Sequence, residues 1–180
     1  YNNATSTGTN PLVNTGKITV GDNGIGMYGF EENTTENITA GKSGIALYSQ
    51  GGAVNIGSAS KTPTITVGDT KARAVFTAGN TQTITSTNSM TIGDASYGFV
   101  IKGVGHNLTT DNGTVTLGND SVFAYSDKPG TMTNRTQLVS TGSGNYGLYS
   151  AGNIKNLADI NFGSGEGNVG IYSIGGTAVN

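Results

Sequence analysis

The sequence has no cysteine, no tryptophan, only 11% charged residues and a single histidine, His106. The absence of cysteine excludes a disulfide framework, a Cys-His catalytic site and a thiolate zinc site. The single histidine excludes a multi-histidine zinc site, and any Ser-His-Asp arrangement would depend on that one residue. We therefore expect His106 to be hydrogen-bonded or solvent-facing, and we assign no catalytic, cofactor-binding or metal-binding residue.

Charge is scarce and evenly divided, with nine basic and eleven acidic residues and a formal net charge of -2. The basic residues are scattered singly along the chain. Binding to nucleic acid or to an anionic lipid surface relies on clustered Lys and Arg, so nucleic acid is not expected as a partner. No apolar run approaches the length of about 18 residues that indicates a transmembrane helix.

Four residue types make up half of the chain: Gly, Thr, Asn and Ser occur 30, 27, 20 and 15 times in 180 residues. Thr, together with the Val, Ile and Tyr that are present, suits a half-buried pleated surface, whereas Gly and Asn suit tight turns. Residues that favour helices are few. The composition predicts an all-β protein.

A short unit recurs seven times, and it consists of a strand-like segment, a glycine turn, and an apolar stretch that usually ends on an aromatic residue. The copies are KITVGDNGIGMYG (17–29), NITAGKSGIALYS (37–49), TITVGDTKARAVFT (64–77), SMTIGDASYGFVI (89–101), TVTLGNDSVFAYS (114–126), LVSTGSGNYGLYS (138–150) and DINFGSGEGNVGIYS (159–173). The aromatic position holds Tyr28, Tyr48, Phe76, Val100, Tyr125, Tyr149 and Tyr172. Its mean spacing is 24 residues, with individual steps of 20 to 28. Such a period indicates one supersecondary unit per repeat.

Further alternating pieces lie between the copies, such as AVNIG at 53–57 and TQTITST at 81–87, so each period contains two or three short strands. This pattern predicts a parallel β-helix (a solenoid) of about seven coils over residues 17–173. A β-sandwich is the alternative, but its strands need not resemble one another at every third strand. We expect residues 1–180 to form a single β-helix segment cut from a longer repeat protein.

Stacked coils place equivalent residues about 4.8 Å apart, so like residues should form files. We expect apolar files, including Ile25, Ile45, Val122 and Val169, to fill the interior. The Gly or Ala that usually follows these residues should mark a bend or a point where a side chain would collide, and Phe123 is the exception. Alternation alone leaves open whether the aromatic file points inward or forms an outer ladder.

Three stretches match G-x-G-x-x-G, at 24–29, 142–147 and 165–170. A dinucleotide site would require a helix after the motif, and no helical pattern follows any of them. We interpret these residues as turn glycines.

Acidic residues follow the turn glycine in three copies, at Asp22, Asp69 and Asp94. Calcium-binding β-rolls place carboxylates in such turns, but the other copies have Lys, Asn or Ser at this position, so no continuous carboxylate ladder is expected. We expect solvated turns and no cofactor.

The densest acidic group is Glu31, Glu32 and Glu36. A pair of carboxylates could cleave glycans, as in many β-helix enzymes. A solvated polar loop explains the same residues, and we expect no enzymatic activity.

Thr-x-Thr pairs occur at 64–66, 83–85 and 114–116, and a flat array of such pairs would suggest ice binding. At the first strand of the unit both threonines are present in only two of seven copies. Outward polar residues on a half-buried strand are the simpler interpretation.

The segments NVGIYSIGGTAVN, GNYGLYSAGNIKNLADINFG and SGIALYSQGGAVNIG resemble passenger repeats of the large type V autotransporter adhesins of fusobacteria and their relatives. The resemblance extends through all seven copies. It implies a right-handed β-helical passenger, displayed on the cell surface and anchored in the outer membrane only through a C-terminal barrel outside this chain. It further implies a role in adhesion and coaggregation, with surface proteins or glycans of host cells or bacteria as partners. No binding residue can be transferred to this sequence.

Two functions remain open: a surface shaft with an adhesive face, and a polysaccharide-binding or polysaccharide-cleaving β-helix. Irregular structure is expected where the period stretches, above all in GSASKTP at 57–63. The last residues, SIGGTAVN at 173–180, are still repeat sequence, so we expect further coils of the same parent chain after Asn180 and self-association when the segment is isolated.

Overall fold

The computed structural model describes residues 11–180, and these residues form a parallel β-solenoid of about seven turns. The predicted all-β solenoid is therefore confirmed, and the β-sandwich is excluded. None of the described residues lies in a helix, so nothing in residues 11–180 is a helix that could cross a membrane. Residues 1–10, which the single-segment prediction includes, lie outside the described part.

Each turn contains three strand positions, and the first four turns fill them with separate strands. These strands are β1 (Leu12–Asn14), β2 (Ile18–Val20) and β3 (Ile25–Gly29); β4 (Glu32–Thr34), β5 (Ile38–Ala40) and β6 (Ile45–Ser49); β7 (Val54–Ile56), β8 (Thr64–Val67) and β9 (Arg73–Thr77); and β10 (Thr83–Thr87), β11 (Ser89–Ile92) and β12 (Tyr97–Ile101).

In the fifth and sixth turns one long strand covers the first two positions, and the chain ends at the start of an eighth turn. The remaining strands are β13 (His106–Leu117) and β14 (Val122–Ser126); β15 (Gly130–Ser140) and β16 (Tyr146–Ser150); β17 (Asn153–Asn156), β18 (Ile160–Asn161) and β19 (Val169–Ser173); and β20 (Ala178–Val179).

The third strands of all seven turns form one parallel sheet, in the order β19-β16-β14-β12-β9-β6-β3. We call its outer surface the aromatic face. The first and second strands belong to a second sheet, because β13 and β15 continue across the corner between them. Each inner strand thus pairs with the equivalent strand of the turn before and of the turn after, and no two of these strands form a hairpin.

The interior is filled by inward files of like residues that the register stacks directly on one another. On the first strands the file is Leu12, Glu32, Val54, Ile84, Leu108, Met132 and Ile154. On the third strands it is Met27, Leu47, Val75, Phe99, Ala124, Leu148 and Ile171. Burial of each Leu, Ile or Phe of this kind stabilises a fold by about 1.5–3 kcal/mol, so the stacked files account for much of its stability.

Polar side chains stack at the corner between the first and second strand positions. The amide of Asn134 donates to Asn156 at 2.8 Å, and the amide of Asn156 donates to Asn180 at 2.7 Å. Asn134 also accepts a hydrogen bond from the Thr110 hydroxyl at 2.6 Å. These bonds satisfy buried polar atoms and link successive turns.

The predicted irregularity at 57–63 is confirmed. The segment leaves the coil between β7 and β8, and Ser58 and Lys61 form a small antiparallel bridge with backbone hydrogen bonds of 2.8 and 3.2 Å. Residues 59 to 62 are exposed. The additional residues of the longest repeat therefore project sideways, and β7 and β8 keep their register with the neighbouring turns.

Candidate functional site

The aromatic file points outward and forms a ladder along the aromatic face. Ring centroids are 4.9 Å apart for Tyr28 and Tyr48 and 5.0 Å apart for Tyr48 and Phe76. After one interruption the ladder resumes with Tyr125, Tyr149 and Tyr172, whose successive rings are again 4.9 Å apart. Each ring is partly covered by its neighbours and partly exposed, so the face presents stacked aromatic surface to the solvent.

The aromatic residues point outward because two consecutive residues of each third strand point inward. In β6 both Ala46 and Leu47 are fully buried, which shifts the alternation and turns Tyr48 outward. The position of Ala46 in each third strand is confirmed as one where an added side-chain atom can collide with the next turn, and Gly98 shows this. A Cβ at Gly98 would lie 2.4 Å from the carbonyl oxygen of Phe123 in the next turn. The small residues of this file therefore allow the turns to approach closely.

Phe123 is accommodated because its neighbours leave room for it. Its ring packs edge-on against Phe99 with centroids 5.5 Å apart, and it occupies space next to the missing side chain of Gly98. One large residue is thus compensated by a glycine in the adjacent turn.

One expectation about the interior is wrong. Ile25, Ile45, Val122 and Val169 begin the third strands, and they lie on the outer side, where Ile25 is 45% exposed. These residues form a second outward file beside the aromatic ladder, and the core residue comes two positions later in each strand. The two consecutive inward residues in each third strand explain why both this file and the aromatic file point outward.

The second outward file also contains tyrosines. Tyr97 packs edge-on against Tyr125 at 6.5 Å, and Tyr146 does so against Tyr149 at 6.2 Å and Tyr172 at 6.1 Å. Such tilted contacts are favourable for aromatic rings and hold the outer surface in a defined arrangement.

The ladder is interrupted at Val100, which occupies the aromatic position of the fourth turn between Phe76 and Tyr125. A shallow depression of about 420 Å³ lies at this point. Its lining consists of Lys71, Arg73, Phe76, Tyr97, Val100, Lys102 and Tyr125. We call it the Val100 gap.

Three cations border the Val100 gap, and sequence reasoning missed them. The Arg73 guanidinium lies 5.6 Å from the centre of the Phe76 ring, and the Lys102 ammonium lies 4.9 Å from the centre of the Tyr125 ring. Lys102 also lies 3.8 Å from the carboxylate of Asp127. Partial burial raises the pKa of the Tyr125 hydroxyl, and the nearby Asp127 adds to the rise. Arg73 occupies the same register position as Ile25 and Ile45 in the earlier turns. A charged residue at a position that is apolar in those turns is the signal by which the sequence could have indicated this site.

The acidic residues of the turns bind the backbone of the following turn. Oδ1 of Asp22 accepts a hydrogen bond from the Lys42 amide at 2.9 Å, and Oδ1 of Asp94 accepts one from the Asn119 amide at 2.7 Å. Asp69 does the same for the amide of Asp94 at 3.0 Å. Within residues 11–180 no three His, Cys, Asp or Glu side chains come together as metal ligands. The turn carboxylates therefore have a structural role in stacking.

His106 is buried and hydrogen-bonded, which is the first of the two expected environments. Its Nδ1 donates to the carbonyl oxygen of Gly103 at 3.1 Å, and its Nε2 has no partner among the described residues. Burial lowers the pKa of the imidazole, and the Gly103 carbonyl acts in the opposite direction. Burial thus favours the neutral imidazole, and its one hydrogen bond is to a backbone carbonyl rather than to a catalytic side chain.

Glu31, Glu32 and Glu36 do not lie together in a solvated loop. Glu32 begins β4 and its side chain is fully buried in the inward file, where neither oxygen has a partner among the described residues. Burial raises the pKa of Glu32 to about 8. Glu36 forms an ion pair with Lys61 of the projecting segment. The three residues therefore do not form an exposed carboxylate pair.

The G-x-G-x-x-G stretches and the threonine pairs form ordinary turns and strands of the solenoid. The stretches 24–29, 142–147 and 165–170 consist of a turn followed by β3, β16 or β19, and no helix follows them within residues 11–180. On the second strands the register stacks five outward threonines, one per turn: Thr19, Thr39, Thr66, Thr91 and Thr116. A second threonine lies beside this file in two turns only, at Thr64 and Thr114, and Ser89 takes that place in the turn between them, so the array of pairs is incomplete, as the sequence indicates.

Comparison of this chain with protein-family models, with curated proteins and with solved structures finds no match in any of the three.

Proposed function

We propose that this chain is a segment of a bacterial surface adhesin, a β-helical shaft of the kind found in autotransporter passengers, displayed outside the cell and anchored in the outer membrane. Its partners would be proteins or glycans on host cells or other bacteria. The segment has no enzymatic role in this proposal.

The observation that carries the proposal is the aromatic face. Soluble monomers rarely expose a continuous apolar surface unless it binds something. Here the outer surface of one sheet carries stacked tyrosines from turn after turn, and Tyr172 is 45% exposed. The surface is regular, lateral and extended, which suits contact along a shaft better than enclosure of a small molecule.

The solenoid supports the same proposal. Its stability comes from backbone pairing between self-similar turns and from stacked polar corners, without a disulfide. An elongated structure of this kind separates a distal region from an anchor, and it can grow by addition of turns. Low charge agrees with a role that does not involve nucleic acid.

A second candidate is a polysaccharide-binding or polysaccharide-cleaving β-helix. Exposed tyrosines favour it, because aromatic rings are good surfaces for sugar rings. Cleavage is less well supported than binding, because in the densest acidic group Glu32 is buried in the core and Glu36 is paired with Lys61. Incubation of the chain with neutral and acidic polysaccharides, followed by measurement of reducing ends, separates cleavage from binding.

The test uses cells that produce the parent protein. Antibodies raised against the 180-residue chain should label intact cells, and external protease should remove the label. The purified chain should also inhibit adherence or coaggregation. A variant with Tyr48→Ser and Tyr149→Ser should inhibit less, while Lys155→Gln, on a different sheet, serves as control. Label that appears only after lysis would refute the surface location, and equal inhibition by the tyrosine variant would refute the role of the aromatic face.

A further inference from the structure

The Val100 gap has the dimensions of one missing ring. In the intact parts of the ladder successive ring centroids are 4.9–5.0 Å apart. Phe76 and Tyr125 are two turns apart, so their rings are separated by roughly 9–10 Å. A flat ring needs about 3.5–4 Å on each side for van der Waals contact. Val100, which is only 5% exposed, forms the floor and leaves the outer part of this space open.

The charge at this place is unlike that of the rest of the chain. Lys71, Arg73 and Lys102 are three of the nine basic residues in the sequence, and no acidic residue lines the gap. The nearest ion pair is the contact of Lys102 with Asp127 at 3.8 Å, and both of these side chains are about 40% exposed. An exposed pair of this kind contributes little, so Lys102 can turn toward a stronger partner.

We propose that the Val100 gap binds a sugar ring that carries a carboxylate, as part of an acidic glycan. The Arg73 guanidinium and the Lys102 ammonium, which lie over the faces of Phe76 and Tyr125 at 5.6 and 4.9 Å, move aside as the sugar ring enters between these two rings and completes the ladder. Its carboxylate pairs with the Arg73 guanidinium and the Lys102 ammonium. This inference rests on the proposed adhesive function and names the ligand class of one place on the aromatic face.

Other anionic ligands fit less well. A peptide that binds by strand addition needs a free sheet edge, and β12 is paired on both sides, with β9 and β14. A single-stranded nucleic acid needs a basic track for successive phosphates, and the cations here are confined to one place. A single acidic sugar ring uses both features of the gap, the two aromatic rings and the basic side chains beside them.

The experiment measures binding to the purified 180-residue chain by calorimetry at low salt. The probes are tetragalacturonate with its methyl ester, and sialyllactose with lactose, so that each acidic saccharide has a neutral counterpart. At least one acidic saccharide should bind about tenfold or more tightly than its counterpart, and salt should weaken its binding because the contact is electrostatic. Hexaglutamate and oligo-dT represent acidic peptides and nucleic acids.

The variants separate stacking from charge. Val100→Tyr fills the gap, and it should reduce binding of the acidic saccharide at least tenfold while the melting temperature stays the same or rises, because a continuous ladder is formed. Arg73→Gln and Lys102→Gln should each reduce binding roughly fivefold to tenfold. Lys155→Gln removes an equal charge from an exposed site in β17 and should leave binding unchanged.

Five results would overturn the inference: no binding of either acidic saccharide, equal binding of the neutral counterparts, unchanged binding after Val100→Tyr, unchanged binding after both Arg73→Gln and Lys102→Gln, or tighter binding of hexaglutamate or oligo-dT. If Val100→Tyr failed to fold, the two charge variants would still decide, because both side chains lie at the surface. The assay uses purified protein, so its outcome is independent of whether antibodies label intact cells, and either proposal can fail alone.

Discussion

Glu32 provides a quantitative test of the stacked interior. Its side chain lies in an apolar file between Leu12 and Val54, and burial raises its pKa from 4.5 to about 8. The unfolded chain releases this proton near pH 4.5, whereas the folded chain keeps it until about pH 8. As pH rises between these values the unfolded state binds fewer protons, so the free energy of unfolding falls. The destabilisation is absent below the lower value and complete above the higher one.

The magnitude follows from the two pKa values. One pKa unit corresponds to about 1.4 kcal/mol, so at pH 7 the buried carboxyl destabilises the fold by about 3 kcal/mol. Glu32→Leu restores an apolar residue between Leu12 and Val54, and it should raise the stability at pH 7 by about this amount. A domain of this size gains about 2–4 °C in melting temperature per kcal/mol, so the expected rise is roughly 6–12 °C.

The assay is thermal unfolding of the parent and of Glu32→Leu at pH 4.5, 6, 7 and 8. The difference between the two proteins should grow steadily from pH 4.5 to 8. Use of the difference removes the contribution of His106, whose lowered pKa makes the fold less stable as pH falls below its ordinary value of 6.5. Glu166→Gln, which changes an exposed carboxylate, should show no such trend. A difference that is independent of pH, or a variant less stable at pH 7, would refute the placement of Glu32.

Three further predictions concern the geometry of the stack. Gly98→Ala should lower the free energy of unfolding by about 2–3 kcal/mol, because its Cβ would lie 2.4 Å from the Phe123 carbonyl oxygen. Gly21→Ala, where a Cβ meets nothing within 4 Å, is the control in urea unfolding, and equal losses would contradict the close approach of the turns. Deletion of residues 58–62 should leave the β signal in circular dichroism intact, since the segment projects from the coil; global unfolding would show that it belongs to the core. The isolated chain should self-associate through its last turn, where β20 is paired on one side and Ile174 and Val179 are exposed, and light scattering that shows a stable monomer at high concentration would contradict this.

The sequence predicted the solenoid because a repeat is visible without knowledge of three-dimensional contacts. The spacing from each turn glycine to its aromatic position, as from Gly41 to Tyr48, marks one equivalent point in every turn. Parallel stacking then requires equivalent residues to meet, and the register joins Tyr28 with Tyr48 and Tyr149 with Tyr172 as expected. The projecting segment was likewise predictable, because the 28-residue step must place its additional residues outside the stack.

The side to which each residue points was less predictable. Alternation along a strand does not show which of the two faces is inside. The structure also contains a local exception to alternation, because Ala46 and Leu47 both point inward. This exception depends on the close approach of neighbouring turns, which leaves space for a small side chain at this position and for Phe123 only beside Gly98. Ile25 and Ile45 were therefore assigned to the core, although they lie outside.

The sequence by itself determined the number of turns, the register between them and the files of like residues, because these properties follow from periodicity along one chain. Only the tertiary structure decided which files face the solvent, that Glu32 is a single acid in an apolar file, and that Arg73 and Lys102 meet at Val100. These residues are separated by about one turn in the chain. Their meeting depends on which side of the sheet each one occupies, and that side is set by packing between turns.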